Sequence, residues 1–89
     1  MSNPSVAIVI LNYNGRNYLQ RFLPGVLASA YDNKRVIVAD NASTDNSIDL
    51  LKSEFSSVEL ILLEKNYGFA EGYNQALKQV ESDYYVLLN

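Results

Sequence analysis

The sequence of 89 residues contains no cysteine, no histidine and no tryptophan. Without cysteine there can be no disulfide framework, no thiolate nucleophile and no zinc finger. Without histidine, the usual general base and the commonest transition-metal ligand are missing as well. These absences exclude serine-type catalytic triads and histidine-based metal sites.

Basic charge and long apolar runs are also scarce. Seven Lys and Arg against ten Asp and Glu give a formal net charge of -3, and no basic stripe exists that would attract nucleic-acid phosphates. The longest strongly apolar run, Val6 to Leu11, is far shorter than the roughly 20 residues that span a bilayer. Met1 to Ser5 lacks the basic start of a signal peptide. We therefore expect no nucleic-acid partner and a cytoplasmic location. A complete, longer protein could still attach peripherally to the inner face of the membrane.

The length and composition fit one domain or a piece of one. A hydrophobic content of 48% with 19% charged residues suits a single α/β domain over residues 1–89, without room for a second core. A chain of this size buries only about two-thirds of its unfolded surface, so its stability is expected to be marginal.

Apolar runs of strand type alternate with helical patterns along the chain. The runs that predict buried parallel strands are Val6 to Leu11, Arg35 to Ala39, Val58 to Leu63 and Tyr84 to Leu88. A first helix is predicted over Asn17 to Ala30, with Pro24 and Gly25 expected to kink it or end it early. Two further helices have predicted buried faces at Ile48, Leu51 and Phe55, and at Phe69, Tyr73, Ala76, Leu77 and Val80.

This alternation predicts an α/β fold with a Rossmann-like parallel sheet in strand order 3-2-1-4, joined by right-handed crossovers. Ligands of such sheets bind beyond the carboxyl ends of the strands. Polar clusters follow each predicted strand there: Asn12 to Gly15, Asp40 to Ser43, Asn66 to Gly68, and Asn89. We expect them to converge on one edge.

Taken singly, these residues have ordinary structural roles as well as functional ones. Asp40 could accept hydrogen bonds from a ribose or a base, although an isolated Asp in such a loop more often caps a helix. The cap of the second helix could equally be Ser43, Thr44 or Asp45. Tyr13 could stack on a base or pack within its loop. Asn41 could read a pyrimidine edge, and Gly68 could permit close backbone approach, but either suits a simple turn.

The familiar phosphate-binding motifs are missing. No Gly-x-Gly-x-x-Gly follows the first strand, which argues against a dinucleotide site, and no Gly-Lys-Ser or Gly-Lys-Thr forms a P-loop. A bound diphosphate would then need another neutralising group, most simply a divalent cation held by carboxylates.

Four blocks, in order, resemble the opening of family 2 glycosyltransferases of the GT-A fold. They are Val6 to Gly15, Val38 to Asp45, Asn66 to Asn74 and Tyr85 to Asn89, and together they cover nearly the whole chain. Many relatives carry two acidic residues where this chain has Asp40-Asn41, and the Asn variant is similar to the rhamnosyltransferase-like branch. The chain is therefore expected to be the N-terminal, nucleotide-sugar-binding half of a GT-A domain, truncated after the fourth strand.

The resemblance implies a set of site residues. Leu11 and Tyr13 would line the nucleotide pocket, and Asp40 and Asn41 would meet base and ribose. The positions in the third block that we assign to nucleotide-sugar binding are Asn66, Gly68 and Asn74. The donor would be a uridine or thymidine diphosphate sugar.

The resemblance also implies a metal motif at the end of the chain. Asn89 matches the first position of an Asn-x-Asp motif that holds Mg²⁺ or Mn²⁺, while the acidic ligand and the catalytic base would belong to further sequence. Glu71 and Asp83 match no catalytic position and are interpreted as solvated surface. The complete protein would transfer a sugar to an acceptor hydroxyl with inversion, and the 89-residue chain alone would be inactive.

Two expectations concern association. The predicted strand over Tyr84 to Leu88 is apolar and uncharged, so an open edge there favours self-association. The competing interpretation of the whole chain is a non-catalytic nucleotide-binding or protein-interaction module of doubly wound fold.

Overall fold

A computed structural model describes residues 4–29 and 31–88. Within them the chain forms four strands and three helices in strict alternation. They are β1 (Val6–Asn12), α1 (Arg16–Leu27), β2 (Lys34–Asp40), α2 (Ser47–Glu54), β3 (Glu59–Leu62), α3 (Phe69–Leu77) and β4 (Tyr84–Leu88).

The strands form one parallel sheet in the order β3-β2-β1-β4, which confirms the predicted topology. β1 lies at the centre, where Asn12 pairs with Asp40 of β2 and Ile10 pairs with Leu88 of β4. The next strand outward, β3, places Leu62 beside Asp40. Because all four strands run in the same direction, their carboxyl ends share one edge of the sheet.

The helices cover both faces of the sheet, and each face has its own apolar core. On one face, α1 and α2 pack on β1 and β2 around a cluster that includes Leu23, Val38 and Leu51. On the other face, α3 packs through Tyr73 and Ala76 against Ala7, Val9 and Ile37. The alternation of β-branched residues along β1 and β2 supplies both cores at once, as expected for strands buried on two sides.

Helix α1 differs from its prediction at both ends. It begins at Arg16, one residue before the predicted start, and ends at Leu27 rather than at Ala30, which lies outside the described residues. The helix does end before Ala30, but three residues after Pro24 and not at the proline itself. Pro24 lies within α1 on its exposed side, and its carbonyl accepts the usual helical bond from the Ala28 N–H at 3.0 Å, so the ladder continues beyond it.

The buried faces of α2 and α3 also differ in part from the predictions. In α2, Leu50 is buried beside Leu51, while Ile48 is only half-buried, because this short helix contacts α1 as well as the sheet. Phe69 was predicted in the buried face of α3 but is exposed, since it is the first residue of the helix. Its ring lies edge-on against the ring of Tyr73 at 5.2 Å.

Candidate functional site

The loops that follow the strands meet at the carboxyl edge of the sheet, as the sequence predicted. β1 is flanked by β2 on one side and by β4 on the other. The connection after β1 crosses one face of the sheet through α1, and the connection into β4 crosses the opposite face through α3. The strand order therefore reverses between β1 and β4, which is where open α/β sheets bind their ligands.

A buried cluster of three polar side chains ties the end of β1 to the end of β2. Asp40 is only 1% exposed. Its Oδ1 accepts hydrogen bonds from Asn12 Nδ2 at 2.9 Å and from the Ser43 hydroxyl at 2.8 Å. Its Oδ2 accepts from the Ser43 backbone N–H at 2.8 Å. A carboxylate has about four acceptor positions, so three of them are in use.

Ser43 links this cluster to the loop after β1. While its hydroxyl donates to Asp40, its oxygen accepts from Asn12 Nδ2 at 3.2 Å and from the Asn14 backbone N–H at 2.8 Å. One donor and two acceptor positions are all that a serine hydroxyl has. The hydroxyl of Ser43 is therefore fully used in joining the two loops.

A second set of bonds fixes the same two loops from the solvent side. Asn14 Oδ1 accepts from the backbone N–H groups of Thr44 at 2.7 Å and Asp45 at 3.1 Å. Asn14 and Ala42 have positive φ angles of 51° and 63°, which non-glycine residues seldom adopt. The side-chain bonds hold the loops in this strained form, as is common at ligand sites.

The question of the α2 cap is answered by Asp45. The helix begins at Ser47, and Asn46 before it makes no side-chain cap bond. Asp45 Oδ1 accepts from the Ser47 N–H at 2.9 Å and from the Ser47 hydroxyl, and Oδ2 accepts from the Arg16 N–H at 3.2 Å. Burial works to raise the pKa of Asp45, but these hydrogen bonds from Ser47 and Arg16 together lower it below its usual value. Asp40, the other candidate, binds Ser43 and does not cap α2.

Asn41 is buried, and its side chain faces the turn before α3. It is 2% exposed. Its Oδ1 accepts from the Tyr67 N–H at 2.9 Å and its Nδ2 donates to the Gly68 carbonyl at 3.0 Å. Within the same turn, Asn66 Oδ1 accepts from the Gly68 N–H at 2.8 Å, and Gly68 has a φ of 80°, a conformation that glycine adopts without strain.

Close packing at Gly72 brings α3 against the ends of β1 and β2. A Cβ at this position would lie 2.9 Å from Leu11 Cδ2 and 3.1 Å from Asn41 Nδ2. The Leu11 side chain is flexible at this end, but the Asn41 amide is held by its bonds to Tyr67 and Gly68, so a side chain at position 72 would crowd a group that cannot easily move.

Tyr73 has a polar role that the helical pattern did not indicate. Its hydroxyl donates to the Leu88 carbonyl at the end of β4 and accepts from the Leu11 N–H at 3.4 Å. Burial raises the pKa of Tyr73, with the bond from Leu11 acting in the opposite direction. Helical periodicity identified Tyr73 as a core residue. The one signal of a further role in the sequence was its hydroxyl, because a buried tyrosine hydroxyl needs a hydrogen-bond partner.

The remaining predicted residues lie around this edge with different exposure. Tyr13 is 51% exposed, Leu11 is half-buried, and Asn66, Gly68 and Asn74 are exposed. Asn89 lies outside the described residues. The structure therefore brings Leu11, Asn41 and Gly68 together, and it leaves Tyr13 at the surface.

A cavity of about 570 Å³ opens beside β1, on the face that carries α1. Its lining is mainly apolar and includes Leu11, Tyr13, Tyr18, Phe22 and Leu88. The volume suits a small ligand, and Leu11 and Tyr13 border it. Asp40, Asn41 and the turn at 66–68 do not line it, so the polar groups predicted to bind a nucleotide lie outside this cavity.

The residues that the structure describes do not form a metal site. Across 4–29 and 31–88, no three carboxylates come together in a way that could hold an ion. The carboxylate at the ligand edge, Asp40, is buried and bonded to Asn12 and Ser43. These residues do not fit a resident Mg²⁺ or Mn²⁺.

The fold is an α/β domain with a parallel sheet whose loops meet at its carboxyl edge, and comparison with known proteins identifies the family. The model of the family described as glycosyl transferase family 2 matches residues 7–89. The chain belongs to this family.

Two relatives have sequences similar to this chain. A glycosyltransferase of Bacillus subtilis, named for teichuronic acid biosynthesis, is 28% identical over 97% of the chain and 35% of its own length. A poly-β-1,6-N-acetyl-D-glucosamine synthase of Staphylococcus aureus is 29% identical over 94% of the chain and 21% of its own length. The chain thus spans about a third or less of these relatives.

Solved structures share the fold. TarS of Staphylococcus aureus in complex with UDP has a TM-score of 0.83, with 22% identity, over 94% of this chain and 26% of that one. A mannosyltransferase of Pyrobaculum calidifontis in complex with GDP-mannose and Mn²⁺ has a TM-score of 0.78, with 22% identity, over 92% of this chain and 26% of that one. In the part of this chain that the structure describes, no helix has the length and apolar character to cross a membrane.

Proposed function

We propose that this chain is the donor-binding part of a glycosyltransferase that moves a sugar from a nucleoside diphosphate to an acceptor hydroxyl with inversion. The observation that carries the proposal is that the Asn12–Asp40–Ser43 cluster ties the loops after β1 and β2 together at the carboxyl edge of the sheet, the same edge at which strand order reverses between β1 and β4. Membership of the family supports sugar transfer, and the solved UDP and GDP-mannose complexes of neighbours support a nucleotide-sugar donor.

The donor's base would contact the residues at the end of β1 and β2. Tyr13 offers an exposed ring on which a base can stack, and Leu11 offers an apolar side chain beside it. Asp40 has one acceptor position left on Oδ2, which could receive the ring N–H of uracil or thymine. Because Asp40 is buried, the loop that follows it, with its strained backbone at Ala42, would have to move for this contact to form.

The ring N–H is common to uracil and thymine, so this contact leaves UDP and dTDP as equal candidates. The exposed Asn66 and Asn74, with Gly68 between β3 and α3, would form the opposite side of the donor site. Placement in the rhamnosyltransferase-like branch stays a prediction, as does a cytoplasmic location with peripheral attachment at the inner face of the membrane.

The chemistry of transfer would use groups beyond these residues. Asp83 lies at the amino end of the sheet, where its Oδ2 accepts from the Ser5 N–H at 2.8 Å and from the Ser5 hydroxyl. It therefore lies at the end of the sheet opposite the ligand edge. Glu71 is exposed on α3 and accepts from Gln75 Nε2. Neither carboxylate is placed to deprotonate an acceptor, so we assign no catalytic residue to this chain.

A divalent cation is proposed for the complete protein. The neighbour that holds GDP-mannose also holds Mn²⁺, and the sequence lacks the glycine-rich motifs whose backbone N–H groups cradle phosphates. Since the described residues do not fit the ion, we assign no ligand to it among them.

Titration calorimetry of the 89-residue chain with UDP, dTDP and NAD tests this function. We expect weak binding of the two pyrimidine nucleotides and none of NAD, because the sequence has no dinucleotide motif. Tyr13→Ala should weaken nucleotide binding, whereas Tyr31→Ala, an exposed tyrosine before β2, serves as control. Binding of NAD in preference to UDP would instead support the non-catalytic doubly wound module.

A further inference from the structure

Asn41 presents its side chain to the protein and not to the solvent. The whole residue is 2% exposed, although it directly follows β2 at the ligand edge. Its carbonyl oxygen accepts from the Tyr67 N–H at 2.9 Å, and its amide nitrogen donates to the Gly68 carbonyl at 3.0 Å. One acceptor and one donor position of the amide are occupied by these two bonds, and at 2% exposure a donor nucleotide could reach the side chain only if the surrounding loops moved.

The two bonds join the Asn41 side chain to one backbone N–H and one backbone carbonyl of the same turn. Tyr67 supplies a donor and Gly68 supplies an acceptor, so a residue that holds both must itself carry an acceptor and a donor. An asparagine meets this requirement, whereas an ionised aspartate can only accept and would place negative charge against the Gly68 carbonyl. The identity of residue 41 is therefore matched to the turn.

Three further features describe the turn that these two bonds from the Asn41 side chain hold, and these two bonds are called the clamp. Gly68 has a φ of 80° and Asn66 Oδ1 holds its N–H, but the exposed Asn66 holds the turn only from the solvent side. Gly68 is also the N-cap residue of α3, and the Gly72 N–H donates to its carbonyl at 3.2 Å. Asn41 thus supports the turn from within and fixes where α3 starts.

We propose, resting on the proposed function, that Asn41 is a positioning residue of the donor site. The Asn41 side chain holds the turn at 66–68. The turn then keeps Asn66 and the start of α3 in the arrangement that receives a nucleoside diphosphate. This replaces the direct contact with base or ribose that the sequence resemblance implied for Asn41. Asp40 and Asn41 then have different tasks, although they are adjacent in the chain.

Amide hydrogen exchange tests the clamp without any ligand. In Asn41→Ala, the Tyr67 N–H should exchange about tenfold faster relative to the core amide of Val38, as expected for loss of a hydrogen bond. The same change at the exposed Asn17 on α1 should leave the Tyr67 N–H unchanged. Unaltered exchange of the Tyr67 N–H in Asn41→Ala would overturn the proposal.

A double-mutant cycle distinguishes positioning from direct contact. Asn41→Ala should weaken UDP binding about tenfold. Asn66→Ala loosens the same turn from outside, and the double variant should bind no more weakly than the weaker single variant, because both changes act through one element. Weakening equal to the product of the two single effects would indicate independent contacts and contradict positioning.

Wild-type protein provides a test that needs no variant, in case Asn41→Ala fails to fold. With UDP bound, nuclear Overhauser effects should connect nucleotide protons with Tyr13 but not with the Asn41 side-chain NH₂. Contacts between that NH₂ and the nucleotide would overturn the proposal. If wild-type chain binds no UDP, the proposed function fails, while the exchange of the Tyr67 N–H still decides whether Asn41 clamps the turn.

Discussion

The hydroxyl of Tyr73 on α3 reaches the Leu88 carbonyl at the carboxyl end of β4, and it also receives the Leu11 N–H of β1. Among the described residues, the last pair of these two strands is Ile10 with Leu88. A side chain of α3 thus joins β1 to β4 at the carboxyl edge of the sheet.

Tyr73→Phe should lower the free energy of unfolding by about 1 kcal/mol, because the Leu88 carbonyl and the Leu11 N–H lose a shared partner. Burial raises the pKa of Tyr73 in the folded chain. Its contribution is therefore complete below the unfolded pKa of about 10 and is lost as pH rises through the folded pKa. Urea unfolding between pH 8 and pH 11 should show a smaller alkaline decline in the variant. An identical decline would show that Tyr73 does not carry it.

Two glycines give a matched pair for packing at the edge. Gly72→Ala should destabilise the chain by about 1–3 kcal/mol, since the new Cβ would lie 2.9 Å from Leu11 Cδ2. Gly25→Ala meets nothing within 4 Å and lies in exposed helix, so it should stabilise by up to about 1 kcal/mol. Thermal unfolding measures both. Equal effects at the two positions would contradict the close approach of α3 to Leu11.

Asp40→Asn should destabilise the chain and remove nucleotide binding together. A carboxamide has one oxygen where the carboxylate uses two to accept from Asn12 and Ser43, so a buried donor loses its partner at about 1–3 kcal/mol. Asp40→Ala should likewise abolish UDP binding. Asp32→Asn, at an exposed aspartate before β2, is the control. Urea unfolding and UDP calorimetry at pH 7 report the two effects, and full UDP affinity in Asp40→Asn would exclude Asp40 from the base contact.

The outer side of β4 should mediate self-association at high concentration. Tyr84, Tyr85, Val86 and Leu87 are all exposed, and among the described residues β4 pairs with β1 alone, leaving a flat apolar edge. Leu87→Lys should shift sedimentation toward monomer. Leu62→Lys makes the same change on the other edge strand, at a similarly exposed leucine, and should have no effect. A wild-type chain that sediments as monomer throughout would rule the association out.

Sugar transfer should be absent from the 89-residue chain, because no described carboxylate is placed to activate an acceptor. Adding Mn²⁺ should tighten UDP binding by far less than in a longer protein that contains the rest of the domain, since the described residues form no carboxylate cluster. Calorimetry with and without Mn²⁺ and a transfer assay on both proteins test this. Transfer by the short chain would mean that its catalytic groups had been overlooked.

Much of this molecule followed from its sequence. The β-branched runs and the helical spacing predicted four strands, three helices and the order 3-2-1-4, because apolar periodicity is a local property and right-handed crossovers leave few topologies. The same rules predicted that Tyr13, Asp40 and the turn at 66–68 would share one edge. Element ends were less accurate, as at Pro24, where an exposed helical position tolerated a proline that local rules treat as a breaker.

What each polar residue does at that edge was decided by the tertiary structure. Asp40, Asn41 and Tyr73 have hydrogen-bonding groups that local rules can count, but their partners, Asn12, Gly68 and Leu88, are 15 to 28 residues away in the chain. Which donor meets which acceptor depends on strand register and on how closely α3 approaches at Gly72. The sequence therefore determined the fold and the sheet edge at which the polar loops meet. Packing between distant segments alone determined that Asn41 holds a turn, that Asp40 is shielded, and that Tyr73 joins two strands.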